Sequence, residues 1–207
     1  NLKPEIKTEW EVGTDLRFFN NRISLGLTYY NNETKDILFA VNTNPSSGFN
    51  TNYTNAAVIE NRGFEIDLNG KIIDNQDLQV SLNANFNDNK NKVVDIAGAE
   101  TVDIGGTSKA VKGFPMSSFY LLGTLRNDDG SLALDARGFP QLDANSRVIG
   151  DPNPDWRGGL GMELKWKGLD FSFLFEHSQG GDFINRTRVV LNGFGMSEEV
   201  GNEVTLT

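Results

Sequence analysis

From Ile6 to Phe18 every even-numbered position except two threonines is apolar: Ile6, Trp10, Val12, Leu16 and Phe18. Glu5, Lys7, Glu9, Glu11, Asp15 and Arg17 occupy odd positions. A repeat of two places successive side chains on opposite faces of an extended chain, so this run predicts a strand with one dry and one wet face. Beyond Asn20-Asn21 the apolar residues Ile23, Leu25, Leu27 and Tyr29 fall on odd positions, with Ser24, Gly26 and Thr28 between them. A two-residue hairpin turn at Asn20-Asn21 sets Phe18 opposite Ile23, Leu16 opposite Leu25 and Val12 opposite Tyr29. Turn and pattern agree on one register with a single apolar face.

The same device recurs twice. Phe64, Ile66 and Leu68 alternate with Glu65, Asp67 and Asn69, and after Asp74-Asn75-Gln76 the run Leu78, Val80, Leu82, Ala84, Phe86 alternates with polar residues. Leu160, Met162, Leu164 and Trp166 precede Lys167-Gly168, and Leu169, Phe171, Phe173 and Phe175 follow it. Hairpins are therefore expected at about 5–30, 60–87 and 156–177, with long segments at about 31–58, 88–155 and 178–207. Those segments are rich in Asn, Gly, Ser, Thr and Asp, as in Gly150-Asp151-Pro152-Asn153-Pro154-Asp155, and read as loops. All of them must leave from one end of the sheet.

The fold class is all-β. A soluble β-sandwich, acting as a surface binding or adhesion module, also alternates between a core face and a solvent face. Three features favour long antiparallel hairpins in a transmembrane β-barrel instead. The first strand keeps its alternation long enough to cross a bilayer. Short turns at one end with long loops at the other match the asymmetry of outer-membrane barrels. Phe18, Phe19 and Trp166 flank the short turns, where an interfacial aromatic girdle would lie. Val12 and Leu164, mid-run on the apolar faces, are then expected to meet hydrocarbon. Six strands do not close such a barrel, since those with a plugged lumen have about 22. The 207 residues are expected to be one segment, 1–207, of a larger wall, with no plug domain in it.

Composition removes other classes. The formal net charge is -9 and Lys and Arg are scattered, which excludes the concentrated basic surface that nucleic acid requires. Without cysteine there is no disulfide framework, zinc-thiolate site or thiol nucleophile. No apolar run reaches the roughly 18 residues of a transmembrane helix, which leaves strands as the means of crossing.

Several phrases in order resemble the late barrel strands of SusC/RagA-type TonB-dependent transporters of Bacteroidetes. They are Leu2-Lys3-Pro4-Glu5 with Thr8-Glu9-Trp10-Glu11-Val12-Gly13, Phe18-Phe19-Asn20-Asn21-Arg22, Thr28-Tyr29-Tyr30-Asn31 and Asn61-Arg62-Gly63-Phe64-Glu65. Asn89-Lys90-Asn91-Lys92-Val93-Val94, Gly150-Asp151-Pro152-Asn153-Pro154-Asp155-Trp156 and Gln179-Gly180-Gly181-Asp182 continue the series. The resemblance implies an outer-membrane importer of oligosaccharides or peptides, paired with a SusD-type lipoprotein lid. It implies drive by the TonB complex through an N-terminal part not in this chain, and no cofactor. The ending Glu203-Val204-Thr205-Leu206-Thr207 lacks the terminal aromatic expected of a last barrel strand, so a C-terminal barrel fragment is expected.

If the dry face meets lipid, Glu9, Glu11, Asp15, Glu65 and Asp67 face the lumen, as cargo-binding groups or as plain solvated wall. Phe49, Tyr53, Phe114, Phe119 and Tyr120 fall in the loops, where they could stack on sugar rings, meet the lid or pack on other loops. Asp128-Asp129-Gly130, Asp135 and Asp143 do not fit the spacing of a calcium loop and suit turns instead. His177 is the sole histidine and nothing like a nucleophile elbow accompanies it, so neither a metal site nor catalysis is expected.

Overall fold

A computed structural model describes residues 2–42, 45–49 and 51–201; the 203–207 run lies outside them. Six strands form one antiparallel sheet in the order β1 (Ile6–Phe18), β2 (Ile23–Asn42), β3 (Thr51–Asp74), β4 (Leu78–Asp95), β9 (Pro154–Trp166) and β10 (Leu169–Gly180). Between β4 and β9 the chain builds a four-stranded sheet of β5 (Thr101–Gly105), β6 (Ser108–Val111), β7 (Ser118–Thr124) and β8 (Leu142–Gly150). A short helix, α1 (Arg186–Gly193), follows, its first turn capped by the Asn185 side chain accepting from Arg188 N–H at 2.9 Å. Among the described residues no helix is long and apolar enough to cross a membrane, which says nothing of strands.

The hairpin registers are those the alternation requires. Phe18 pairs with Ile23, Leu16 with Leu25 and Val12 with Tyr29, while Trp166 pairs with Leu169, Leu164 with Phe171 and Met162 with Phe173. Both tight turns take left-handed backbone at their two central residues, as a type I′ turn requires, with φ 55° and 65° at Asn20 and Asn21 and 45° and 88° at Lys167 and Gly168; in the first, Phe19 is left-handed too, at φ 53°. At the third turn, Asn75 Oδ1 accepts from the N–H groups of Asp77 and Leu78 at 3.1 and 2.9 Å.

The registers align the three hairpins into one dry face. A single row runs Leu16, Leu25, Leu68, Ala84, Leu160, Phe175 across all six strands. Val12 and Phe175 remain 66% and 67% exposed in the chain alone, so protein does not cover this surface. Aromatic rings mark its outer border: Trp10 with Tyr29 at 5.2 Å, Tyr29 with Phe64 at 4.6 Å, Phe86 with Trp156 at 5.6 Å and Trp156 with His177 at 5.0 Å between centroids. Phe18, Phe19 and Trp166 stand at the opposite, short-turn border. Two belts of rings enclosing an apolar band, aliphatic except for Phe171, Phe173 and Phe175 of β10, are the interfacial girdles of a membrane barrel. Val12 and Leu164 each lie two residues from a belt residue, Trp10 or Trp166, nearer the interfaces than the middle.

The segments expected as loops carry more structure than alternation revealed. Most of 31–58 is strand, because β2 and β3 continue far past the outer belt. A bulge near Asp36, at φ 56°, interrupts the pairing between Thr34 and Ile37. Beyond it Ile37, Phe39 and Val41 point to the side that even-numbered residues held before. There Phe39 joins Ala56, Ala57, Ile59 and Val93 against Ile96, Val102 and Ala110 of the smaller sheet and its approach, with Met116 packed beside them. The buried core among the described residues thus lies above the aromatic belt, where the 88–155 segment folds back on the wet face.

A candidate channel lining and mouth

The wet face of the wall carries the five acidic candidates together. Glu9, Glu11 and Asp15 project from β1, Glu65 and Asp67 from β3, all exposed. One row reads Asp15, Gly26, Asp67, Asn85, Gly159, Glu176, and the next Gly13, Thr28, Glu65, Asn87, Arg157, Ser178. Across β3, β4, β9 and β10 these rows surround an open depression of about 710 Å³ lined by Glu65, Asp67, Asn85, Asn87, Arg157 and Glu176. Glu9 is held by Lys7 at 2.5 Å. No ion pair reaches Glu11, Asp15, Glu65 or Asp67 among the described residues, which leaves their oxygens to water or a solute.

Gly63 shows how tightly this face is fitted. The Tyr30 ring crosses it to reach β4, where the hydroxyl donates to Asn89 Oδ1 at 3.1 Å. A Cβ on Gly63 would meet the Asp88 carbonyl and would sit 2.6 Å from the Tyr30 hydroxyl. The glycine in Asn61-Arg62-Gly63-Phe64-Glu65 therefore allows an aromatic ring to lie flat on the strand.

The aromatic candidates separate into two groups. Phe49 and Tyr53, 71% and 63% exposed, stand at the far end of the β2–β3 hairpin. Phe114, Phe119 and Tyr120 belong to the segment that enters β7. Phe114 is exposed and the other two are half-buried, with Lys109 Nζ 5.1 Å from the Tyr120 ring centre.

Asp129 and Asp135 serve their own turns, while Asp143 lies in β8 with Arg147 Nε 3.4 Å from its Oδ2. Asp129 Oδ1 accepts from the Ser131 hydroxyl at 2.6 Å and from its N–H at 2.9 Å, which holds the carboxyl below its ordinary range. Asp135 Oδ1 accepts from the N–H groups of Arg137 and Phe139 at 2.8 and 2.9 Å. His177 lies on the dry side against Trp156, with Nε2 3.1 Å from Gln179 Oε1.

Sequence reasoning did not single out the amides. Asn61 Nδ2 donates to Asn32 Oδ1 at 3.1 Å, and Asn91 Nδ2 donates to Asn61 Oδ1 at 2.7 Å. Asn61 falls within an expected hairpin, but Asn32 and Asn91 fall in segments expected as loops, and only the inter-strand registers reveal that the three meet.

A sheet with a bare apolar band between two aromatic belts, a carboxylate- and amide-lined opposite face, and a folded layer beyond one belt defines a segment of a transmembrane β-barrel wall with its outer loops. The family described as TonB dependent receptor-like, beta-barrel, matches residues 1–198, and the chain belongs to it. It is thus part of an outer-membrane barrel. The TonB-dependent receptor P3 of Formosa agariphila is 30% identical over 232 residues, covering 99% of this chain and 23% of the relative. The TonB-dependent receptor SusC of Bacteroides thetaiotaomicron is 28% identical, covering 98% of this chain and 22% of the relative. Among solved structures, the RagAB peptide importer in its closed-closed state superposes with a TM-score of 0.69 at 26% identity, over 86% of this chain and 21% of that one. The chain spans less than a quarter of the length of these relatives.

Proposed function

We propose that the parent of this chain is a TonB-dependent importer of large nutrients, oligosaccharide or peptide, and that the chain supplies part of its barrel wall and extracellular mouth. The observation that carries this reading is the division of one sheet into a hydrocarbon-facing band and a polar face lined by carboxylates and amides. A soluble adhesion module would have to cover that band, and here it is bare. In this reading Glu9, Glu11, Asp15, Glu65 and Asp67 offer hydrogen-bond acceptors to cargo hydroxyls or amides along the lumen. Phe49, Tyr53, Phe114, Phe119 and Tyr120 present rings at the mouth, where they stack on cargo or meet a SusD-type lipoprotein lid. The TonB complex acts through another part of the parent, and the chain performs no catalytic step.

The test is uptake by whole cells carrying the parent, with fluorescent maltoheptaose and fluorescent casein peptides as probes. Saturable uptake of one probe, abolished when TonB is deleted, is expected. Recovery of the parent in the soluble fraction, or uptake indifferent to TonB, would remove the proposal.

A further inference from the structure

The asparagine contacts on the wet face continue beyond the wall. From Asn32 on β2 they pass through Asn61 on β3 to Asn91 on β4, and Asn91 Oδ1 then accepts from the backbone N–H of Met116 at 2.6 Å. Met116 also offers its carbonyl, which accepts from Asn153 Nδ2 at 3.3 Å. Asn153 Nδ2 reaches Asp151 Oδ1 at 2.7 Å as well. Asp151 and Asp182 exchange bonds, with Asp151 N–H donating to Asp182 Oδ2 at 2.8 Å and Asp182 N–H to the Asp151 carbonyl at 2.7 Å. One polar chain therefore crosses from β2 to the exit of β10, and the residue at its centre, Met116, lies in the connection between β6 and β7 of the smaller sheet.

Amides are the residues this path needs. Each Asn accepts on oxygen and donates from nitrogen, so the relay passes on without leaving a buried atom unpaired, which neither a carboxylate nor an aliphatic side chain can do. Asn32 is buried at 7% exposure, where an unmet hydrogen bond is costly. The apolar contacts of Val93, Ile96 and Met116 hold the smaller sheet close without direction, because dispersion is non-directional, and the backbone of Val93 ties it at one point, its N–H donating to the Phe114 carbonyl at 2.9 Å and its carbonyl accepting from Gly113 N–H at 2.8 Å. The bonds at Met116 add a second directed attachment, which removes rotation about the first, and Met116 lies two residues after Phe114 and three before Phe119.

We propose that this amide chain is a latch that fixes the smaller sheet over the channel mouth, and that Asn91, as a positioning residue, thereby sets the affinity of the mouth for its cargo. The second half of that statement rests on the import reading above. The first half can be tested without it.

In the detergent-solubilised full-length parent, Asn91→Leu should speed hydrogen exchange at the Met116 amide by about tenfold or more, the effect of one lost buried hydrogen bond. Exchange along the Leu68–Ala84 pairing should be unchanged. In cells, the half-saturating concentration of whichever probe the parent imports, maltoheptaose or casein peptide, should rise about tenfold while the maximal rate stays within about twofold. Asn91→Asp, which still accepts from Met116 N–H but sets a carboxylate oxygen against Asn61 Oδ1, should recover the Met116 protection only in part, and full recovery of both effects would overturn the relay beyond Asn91. Should Asn91→Leu fail to assemble, Asn153→Ala breaks the same chain from outside the wall and should raise the half-saturating concentration alike. Unchanged Met116 exchange overturns the latch, and faster exchange with unaltered uptake overturns its role in affinity. A parent that imports neither probe removes the import reading, and the exchange result then decides the latch alone.

Discussion

Replacing Leu82 by Arg in the intact parent separates a lipid-facing wall from a solvent-facing one. Leu82 lies on the dry face beside Gly70 and Met162, four residues from Phe86 in the outer belt and four from the start of β4. Four residues at about 3.3 Å each, along a strand tilted about 40°, put it about 10 Å below the belt. That is close to the middle of an apolar band about 25 Å tall. Arginine there should cost about 2–4 kcal/mol. Val12→Arg, only two residues from Trp10, should cost less, about 1–2 kcal/mol, because the penalty declines towards the interface. Asp67→Asn and Glu11→Gln, on the wet face, should stay within about 0.5 kcal/mol. Guanidinium unfolding from phospholipid bilayers, followed by tryptophan fluorescence, gives all four values. Equal stability of Leu82→Arg and the parent, or a larger loss from Asp67→Asn, would invert the two faces and refute the assignment.

Gly63→Ala should destabilise the parent by about 1–3 kcal/mol, since the new methyl group collides with the Asp88 carbonyl and the Tyr30 hydroxyl; the same unfolding assay reads it. Lys167→Asn should stabilise by about 0.5 kcal/mol, because Lys167 holds φ 45° and asparagine accepts that region more readily. The Asp129 carboxyl lies below its usual range, so its support for the turn is present above the unfolded value and is lost as pH falls through the depressed one. Asp129→Ala should accordingly hasten tryptic cleavage after Arg126 at neutral pH, and peptic cleavage of the same turn in the parent should rise as acid protonates the carboxylate.

The wall could be read from the sequence because a barrel strand repeats one simple choice, apolar or polar, at every second residue. Leu16 opposite Leu25 and Leu164 opposite Phe171 follow from that choice once the turns are located. The reading stopped where the repeat changes phase. At the bulge near Asp36 the inward side passes from even to odd positions, so Ile37, Phe39 and Val41 no longer resemble a continuation of Ile23 to Tyr29. The smaller sheet was illegible for another reason: β5 and β6 have five and four residues, too few for a period to stand out. The acidic candidates emerged because charge on a strand is conspicuous. The amide relay did not, because it depends on which residues of β2, β3 and β4 stand level, a property of the registers among strands from different hairpins. The resemblance motifs gain a physical basis in the same way, since Gly150-Asp151-Pro152-Asn153 and Gln179-Gly180-Gly181-Asp182 meet through Asp151 and Asp182.

The placement of the buried core above the outer belt means that the two parts of this chain answer to different solvents. Val93, Ile96 and Phe39 are shielded from water by protein, so the outer layer carries the heat-capacity change of an ordinary hydrophobic core and weakens on cooling. The row from Leu16 to Phe175 has hydrocarbon as its surroundings and is sensitive to bilayer thickness, to which the outer layer is indifferent. A thinner membrane strains the wall without loosening the mouth, and a drop in temperature loosens the mouth without straining the wall.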